Sequence, residues 1–137
     1  MSAAQRDPLA GKRFLVADDH AFARRALCEM LCAHGAAAAE AEDGEAAVRL
    51  FADAPEGTFD AAILDVCMPG IDGYAAALSI RQMGRRDARQ MPIFAHSGAE
   101  PQYARRQAME SGMDACLQKP VAMRELARLM QAVRGKP

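Results

Sequence analysis

The sequence lacks a strong excess of charge of either sign, and it lacks a long apolar run. Its 137 residues include 18 acidic and 17 basic side chains, for a net charge of -1. This balance argues against a strongly electrostatic nucleic-acid binder, although a local basic patch is compatible with it. No apolar run approaches the roughly 20 residues that span a membrane, and no signal-peptide core follows Met1. We therefore expect a cytoplasmic domain, either on its own or as the cytoplasmic part of a membrane-bound protein.

The four cysteines lack the CxxC spacing of common zinc and redox sites. Cys28 and Cys32 lie four residues apart on a predicted helix, close to His34, so a metal site there is one alternative. Small buried thiols are common in proteins, and free thiols are the default in the cytosol. The free-thiol state is therefore the simpler expectation.

Apolar segments and turn signals alternate along the chain as five strand–helix units. The predicted strands show no polar alternation, which is typical of strands covered by helices on both faces. Right-handed crossovers then give a doubly wound α/β fold around a five-stranded parallel sheet. The predicted strands are 13–17, 36–41, 60–64, 92–97 and 115–118, and the predicted helices are 21–34, 45–51, 74–83, 100–111 and 122–133.

Three segments fit this pattern less directly. The alanine-rich run 36–41 stands where the second strand belongs, although alanine is a poor strand former. The charged run 84–90 is predicted as a loop. Residues 1–11 are predicted as a flexible leader before a domain at 12–134, and residues 135–137 as a tail.

Polar side chains lie at the ends of four predicted strands: Asp18, Asp19, Asp65, Ser97 and Lys119. In open α/β sheets the working site lies beyond the carboxyl ends of the strands, so these groups are expected to converge. Three carboxylates repel one another, and Mg²⁺ neutralises such a cluster together with water and phosphate oxygens. A carboxylate can also accept a phosphoryl group, a reaction that needs mainly positioning and charge stabilisation. The pattern therefore favours phosphoryl-transfer chemistry.

Four motifs resemble those of response-regulator receiver domains in order and spacing: VADDH, ILDVCMPGIDGY, IFAHSGA and CLQKP. The resemblance covers residues 13–133 and implies a flavodoxin-like (βα)5 fold with strand order 2-1-3-4-5. The C-terminal motifs are most similar to receivers of hybrid sensor histidine kinases, which pass phosphate to a histidine phosphotransfer domain. The implied partners are a histidine kinase or a histidine phosphotransfer protein. Too few residues follow 133 for a DNA-binding helix-turn-helix, so no direct DNA binding is expected.

The resemblance also implies roles for the acidic residues. Asp65 is implied to accept a phosphoryl group from a phosphohistidine of the partner. Asp19, with Asp18 directly or through water, is implied to hold Mg²⁺ beside Asp65. The backbone carbonyl of Cys67, two residues after the acceptor, is implied to complete the protein's share of the metal ligands.

Other positions are implied to bind the phosphoryl group or the partner. Ser97 is implied to hydrogen-bond one phosphoryl oxygen, and Lys119 to pair with another. Pro120 follows Lys119, as in the family, where that peptide bond is usually cis. Phe22 lies off the apolar face of the first helix, so Phe22 and Pro120 are candidate docking positions for the partner.

Two positions depart from the family's pattern. Cys116 stands three residues before the lysine, where the family usually has an aromatic switch residue. We therefore expect phosphorylation to produce only a small change on that face. His96 stands where an aliphatic residue is common, and it is either a buried spacer or a residue that alters the phosphoryl lifetime.

Other functions remain alternatives at this point. Each polar residue at the strand ends could be a helix cap, a turn cap or a solvated surface group. An aspartate-nucleophile phosphatase commonly carries a second Asp two residues after the nucleophile, where this chain has Cys67. A flavodoxin-like cofactor binder would need a Gly-rich loop after the first strand, and the chain has ADDHAFARR there. A non-cycling pseudo-receiver that acts only in protein interactions is the remaining alternative.

Overall fold

The computed structural model describes residues 7–98 and 101–133. The strands are β1 (Arg13–Ala17), β2 (Ala37–Ala41), β3 (Ala61–Asp65), β4 (Ile93–Ser97) and β5 (Ala115–Gln118). The helices are α1 (Ala21–Ala33), α2 (Gly44–Asp53), α3 (Gly73–Arg81), α4 (Arg86–Gln90), α5 (Pro101–Glu110) and α6 (Met123–Val133). The strands form one parallel sheet in the order β2-β1-β3-β4-β5, which confirms the predicted fold class.

The central strands are buried on both faces, as their unbroken apolar character predicts. All five residues of β3 and all five of β4 are buried. Side chains alternate between the two faces of the sheet, so Leu64 joins one core and Ile63 joins the other. The register pairs Ala17 with Leu64 and Asp65 with His96. The carboxyl ends of the three central strands therefore meet at one edge of the sheet.

The alanine-rich segment does form the second strand, at one edge of the sheet. Strand β2 pairs with β1 along its whole length, from Arg13 opposite Ala37 to Ala17 opposite Ala41. The pairing confirms the prediction, and the ladder to β1 outweighs the weak strand propensity of alanine.

The charged run after α3 contains a short helix, so the prediction of a loop there was wrong. Only Ala88 of α4 is buried. The Arg85 guanidinium donates to both carboxylate oxygens of Asp87, at 2.7 and 2.8 Å, and lies 4.5 Å from the centre of the Phe51 ring. The polar contacts of Arg85, which precedes the helix, thus support α4. The periodicity of apolar residues in the sequence could not predict this helix.

The described part of the predicted leader packs against the domain. Leu9 is fully buried in the core on the α1 and α6 side of the sheet. Asp7 accepts the Leu9 N–H at 3.0 Å and lies 2.7 Å from Nδ1 of His34 at the end of α1. The Gly11 N–H donates to the Gly35 carbonyl at 2.9 Å. The segment therefore enters the fold at the amino-terminal edge of the sheet.

Across residues 7–98 and 101–133, none of the helices is both long enough and apolar enough to cross a bilayer.

Candidate functional site

The acidic side chains predicted from the sequence lie together at the carboxyl edge of the sheet. Ligand atoms of Asp18, Asp19, His20 and Asp65 lie within 4.8 Å of one another. Sequence reasoning missed His20, although its place directly after the aspartate pair was a signal. Among the residues that the structure describes, this is the one such grouping, and Cys28, Cys32 and His34 form none. The four cysteines are free thiols.

Asp18 is held firmly at the end of β1. Its side chain is almost fully buried, and Oδ1 accepts the His20 N–H at 2.9 Å. Its own N–H donates to the Ala41 carbonyl at 3.1 Å, which extends the ladder between β1 and β2. The other carboxylate oxygen, Oδ2, lies 3.8 Å from the Lys119 ammonium.

Asp65 ends β3 and is equally buried, with 1% of its surface exposed. Its Oδ1 accepts the Cys67 N–H at 3.2 Å, and its Oδ2 lies 3.1 Å from Nζ of Lys119. Burial raises the pKa of Asp65, and the charge of Asp18 adds to this effect. Lys119 and the Cys67 N–H oppose the increase. The fold therefore holds a carboxylate where ionisation is costly unless further positive charge is present.

The cluster passes a simple test for a hard divalent cation. Oδ2 of Asp18 is buried and accepts no hydrogen bond within the described residues, whereas the buried Oδ2 of Asp65 has the Lys119 ammonium 3.1 Å away. A buried oxygen without a donor is unfavourable, and carboxylate oxygens are the ligands that Mg²⁺ prefers. Asp18, Asp19 and Asp65 therefore fit such an ion.

The loop after Asp65 turns back tightly onto the strand end. The Val66 N–H donates to the His96 carbonyl at 3.2 Å, and the Gly73 N–H donates to the Val66 carbonyl at 3.3 Å. Asp72 caps α3 by accepting the Ala75 N–H at 2.9 Å. A Cβ at Gly73 would collide with the Asp65 carbonyl oxygen and lie 3.0 Å from Cα of Val66. The Asp-Gly turn signal thus corresponds to a close approach of α3 to Asp65.

Ser97 and Lys119 lie on the other side of the acidic cluster. Ser97 ends β4 and is buried, and its carbonyl accepts the Lys119 N–H at 3.0 Å. The Lys119 side chain is 30% exposed and reaches both buried carboxylates. The Lys119–Pro120 peptide bond is cis. Lys119 is therefore an interior partner of the cluster and not a solvated surface lysine.

A groove with a volume of about 280 Å³ lies beside the cluster, between α1 and the segment after β5. Its lining residues are Ala23, Ala26, Leu27, Met30, His96, Lys119, Pro120 and Val121. Met30 is 38% exposed at this groove, whereas Cys28 of the same helix is buried. Phe22, near the start of α1, is 90% exposed, which confirms its predicted position off the apolar face.

His96 is both a buried residue and a lining residue of this groove. It is 5% exposed, and its Nε2 atom has no hydrogen-bond partner among the described residues. Burial, followed by the charge of Lys119, lowers its pKa to about 4. The imidazole is therefore neutral at physiological pH.

Cys116 occupies the predicted switch position on β5. It is half-buried and packs with Tyr74 against the core on the α2 and α3 side of the sheet. Burial raises the pKa of its thiol.

Comparison with known proteins identifies the family. The model of the response regulator receiver domain matches residues 14–131, and the chain belongs to this family. It is 34% identical over 109 residues to the sensor histidine kinase RcsC of Escherichia coli K12, covering 80% of this chain and 11% of RcsC. It is 34% identical over 122 residues to the response regulator MprA of Mycolicibacterium vanbaalenii, covering 88% of this chain and 49% of MprA. The chain therefore spans only a part of each of these relatives.

Solved structures of receiver domains and response regulators resemble this chain as well. The receiver domain of sensor histidine kinase PA1611 from Pseudomonas aeruginosa PAO1, with magnesium in its active-site cleft, is 30% identical with a TM-score of 0.78. The match covers 93% of this chain and 100% of that chain. A response regulator from Chloroflexus aurantiacus is 27% identical, also with a TM-score of 0.78, covering 89% of this chain and 96% of that one.

Proposed function

We propose that this receiver domain accepts a phosphoryl group on Asp65 from a phosphohistidine of a histidine kinase or histidine phosphotransfer protein. The observation that carries the proposal is the burial of the Asp65 carboxylate at the carboxyl edge of the sheet, with only 1% of the residue exposed. The same carboxylate lies beside Asp18 and 3.1 Å from the Lys119 ammonium. The domain then passes the group on or loses it by hydrolysis, and it catalyses only these reactions of its own aspartate.

The transfer step uses one carboxylate oxygen of Asp65 as the nucleophile. That oxygen forms a bond to phosphorus while the phosphorus–nitrogen bond of the phosphohistidine breaks, and the electron pair returns to the imidazole nitrogen. Lys119, already within reach of Asp65, pairs with one phosphoryl oxygen, and the Ser97 hydroxyl donates to another. These contacts offset the negative charge that the phosphoryl group brings to a buried site.

Magnesium fits the acidic residues of the site and would supply charge neutralisation of the carboxylates and the phosphoryl oxygens. Asp18, Asp19, Asp65 and the carbonyl of Cys67 would hold it. Asp18 supports this assignment because its buried Oδ2 has no hydrogen-bond donor among the described residues, and Asp65 supports it because its carboxylate belongs to the same cluster.

The chemistry is tested by labelling with acetyl phosphate in the presence and absence of Mg²⁺. We expect Mg²⁺-dependent phosphorylation of the wild type and none in Asp65→Asn. Asp60→Asn is a matched control, because Asp60 is exposed and lies just before the amino end of the same strand. If the wild type stays unlabelled at saturating Mg²⁺, the proposal is wrong and the non-cycling pseudo-receiver is favoured.

We also propose that the partner docks on α1 and the segment after β5, in the cytoplasm. Phe22 is almost fully exposed there, and Pro120 lines the adjacent groove. Truncating Phe22 to Ala should slow transfer from a phosphorylated histidine phosphotransfer protein while leaving acetyl phosphate labelling unchanged. Met109→Ala is the control, because Met109 is 60% exposed but lies on α5. Equal transfer rates for Phe22→Ala and the wild type would contradict this docking.

A further inference from the structure

Arg24, in the first turns of α1, joins the loop that carries Asp18 to the edge strand of the sheet. Its Nη1 donates to the main-chain carbonyl of Asp18 at 2.7 Å. Its Nε donates to Oε1 of Glu40 on β2 at 2.9 Å. The Arg24 side chain is only 15% exposed, so this geometry is protected from solvent.

The hydrogen bond from Arg24 to the Asp18 carbonyl is a third contact that holds Asp18 in place. The Asp18 N–H is already bonded to Ala41, and Oδ1 to the His20 N–H. The carbonyl that Arg24 binds belongs to the peptide unit between Asp18 and Asp19, which is planar and rigid. Holding that unit therefore fixes the main chain from which both carboxylates project. Oδ2 of Asp18 is then left as the atom without a hydrogen-bond donor among the described residues.

Glu40 makes this contact compatible with a cation site. A lone guanidinium beside three carboxylates would compete with a divalent ion for their charge. Glu40 pairs with Arg24 through Oε1 and with Arg25 through Oε2, the latter at 3.4 Å. The neighbouring carboxylate offsets the guanidinium charge, so Arg24 acts mainly through position.

We propose that Arg24, oriented by Glu40, is a positioning residue that sets the affinity of the acidic cluster for Mg²⁺. The proposal rests on the proposed function, because it presupposes that Mg²⁺ binds at Asp18, Asp19 and Asp65. Residues that orient metal ligands by hydrogen bonding, without contacting the metal themselves, typically contribute about 10- to 100-fold to metal affinity. Removal of Arg24 is therefore expected to weaken Mg²⁺ binding by about that factor.

The test measures the Mg²⁺ dissociation constant of the full chain by titration calorimetry. Arg24→Ala should weaken binding about 10- to 100-fold. Arg25→Ala is the matched control, because Arg25 touches the same glutamate with a mostly exposed side chain and is not bonded to Asp18. The Mg²⁺ affinity of Arg25→Ala should stay close to that of the wild type. Arg24→Lys should recover part of the loss, because one ammonium can reach the carbonyl but lacks the fork that also binds Glu40.

A second readout uses the protein without metal. Amide hydrogen exchange at His20, whose N–H binds Asp18, should be faster in Arg24→Ala than in Arg25→Ala. Comparable thermal unfolding of the two variants would show that the effect is local.

The outcomes separate the two proposals. A wild-type affinity in Arg24→Ala, or an equal loss in Arg25→Ala, overturns the positioning role while leaving the phosphoacceptor function intact. If Arg24→Ala does not fold, Arg24→Met keeps the aliphatic stem without the donors, and a wild-type affinity in that variant overturns the positioning role in the same way. If the wild type itself binds no Mg²⁺ and takes no label, the proposed function fails, and the positioning role fails with it.

Discussion

Replacing Gly73 by Ala should damage the site through a single methyl group. The added Cβ would collide with the Asp65 carbonyl oxygen and lie 2.9 Å from the Asp65 carbonyl carbon, whereas ordinary contacts are 3.4–4 Å. The obstructing atoms are main chain, so no side-chain rotation relieves the clash. The end of β3 or the start of α3 must shift by about 1 Å, and a misplacement of that size typically costs about 100-fold in rate.

The same substitution should lower stability only moderately. Overpacking of this kind typically costs about 1–3 kcal/mol, and the better helix propensity of alanine returns up to about 1 kcal/mol. We therefore expect a net loss between about 0 and 3 kcal/mol in the free energy of unfolding, measured by urea denaturation. The protein stays folded at 25 °C, and the rate of acetyl phosphate labelling at saturating Mg²⁺ can be measured directly.

Two glycine controls make the result interpretable. Gly44 also begins a helix after an aspartate cap, and a Cβ there would collide with the Ile71 carbonyl oxygen instead of Asp65. Gly44→Ala should lose similar stability but retain most of the labelling rate. Gly84→Ala has open space around its Cβ and should change stability by less than about 0.5 kcal/mol. A labelling rate in Gly73→Ala within threefold of that in Gly44→Ala would refute the reasoning.

Three further predictions concern stability and its dependence on pH. Arg81 donates to three main-chain carbonyls and pairs with Asp114. Arg81→Met should therefore lower the free energy of unfolding by about 3–5 kcal/mol, measured by urea denaturation. A loss below about 1 kcal/mol would contradict this prediction. His96→Leu removes a buried nitrogen without a partner in the described residues, and it should stabilise the fold by about 1 kcal/mol with an unchanged dephosphorylation rate; a changed rate would instead support a role in phosphoryl lifetime. Hydrogen bonding from Arg85 lowers the pKa of Asp87 below its ordinary 3.8. Its stabilising contribution is present above that pH and is lost as the pH falls further, so the stability difference between wild type and Asp87→Asn should shrink in acid.

The sequence was sufficient to predict the sheet and the acidic site because both follow from local patterns. Unbroken apolar strands such as β3 place their last residues at one edge, and Asp65 is such a residue. The order and spacing of the motifs then supplied the strand order, which composition alone does not determine.

The remaining features depend on contacts between distant segments, which periodicity does not report. Helix α4 is held by Arg85 and by Glu56, whose carboxylate accepts the Arg86 N–H at 2.8 Å. Leu9 is one apolar residue in a polar stretch, and its burial depends on the end of α1. The Arg24 contacts likewise join α1 to Asp18, directly after β1, and to Glu40 on β2, and only the folded chain brings these residues together.

The anchoring of Leu9 has a practical consequence. It brings residue 7 to the amino-terminal edge of the sheet, and α6 runs back from the β5 end toward that same edge. Both ends of the described chain thus leave the domain on the side away from Asp65. A fluorophore attached at an exposed position on that side would lie away from the acidic cluster and from Phe22, so it is suitable for measuring partner binding.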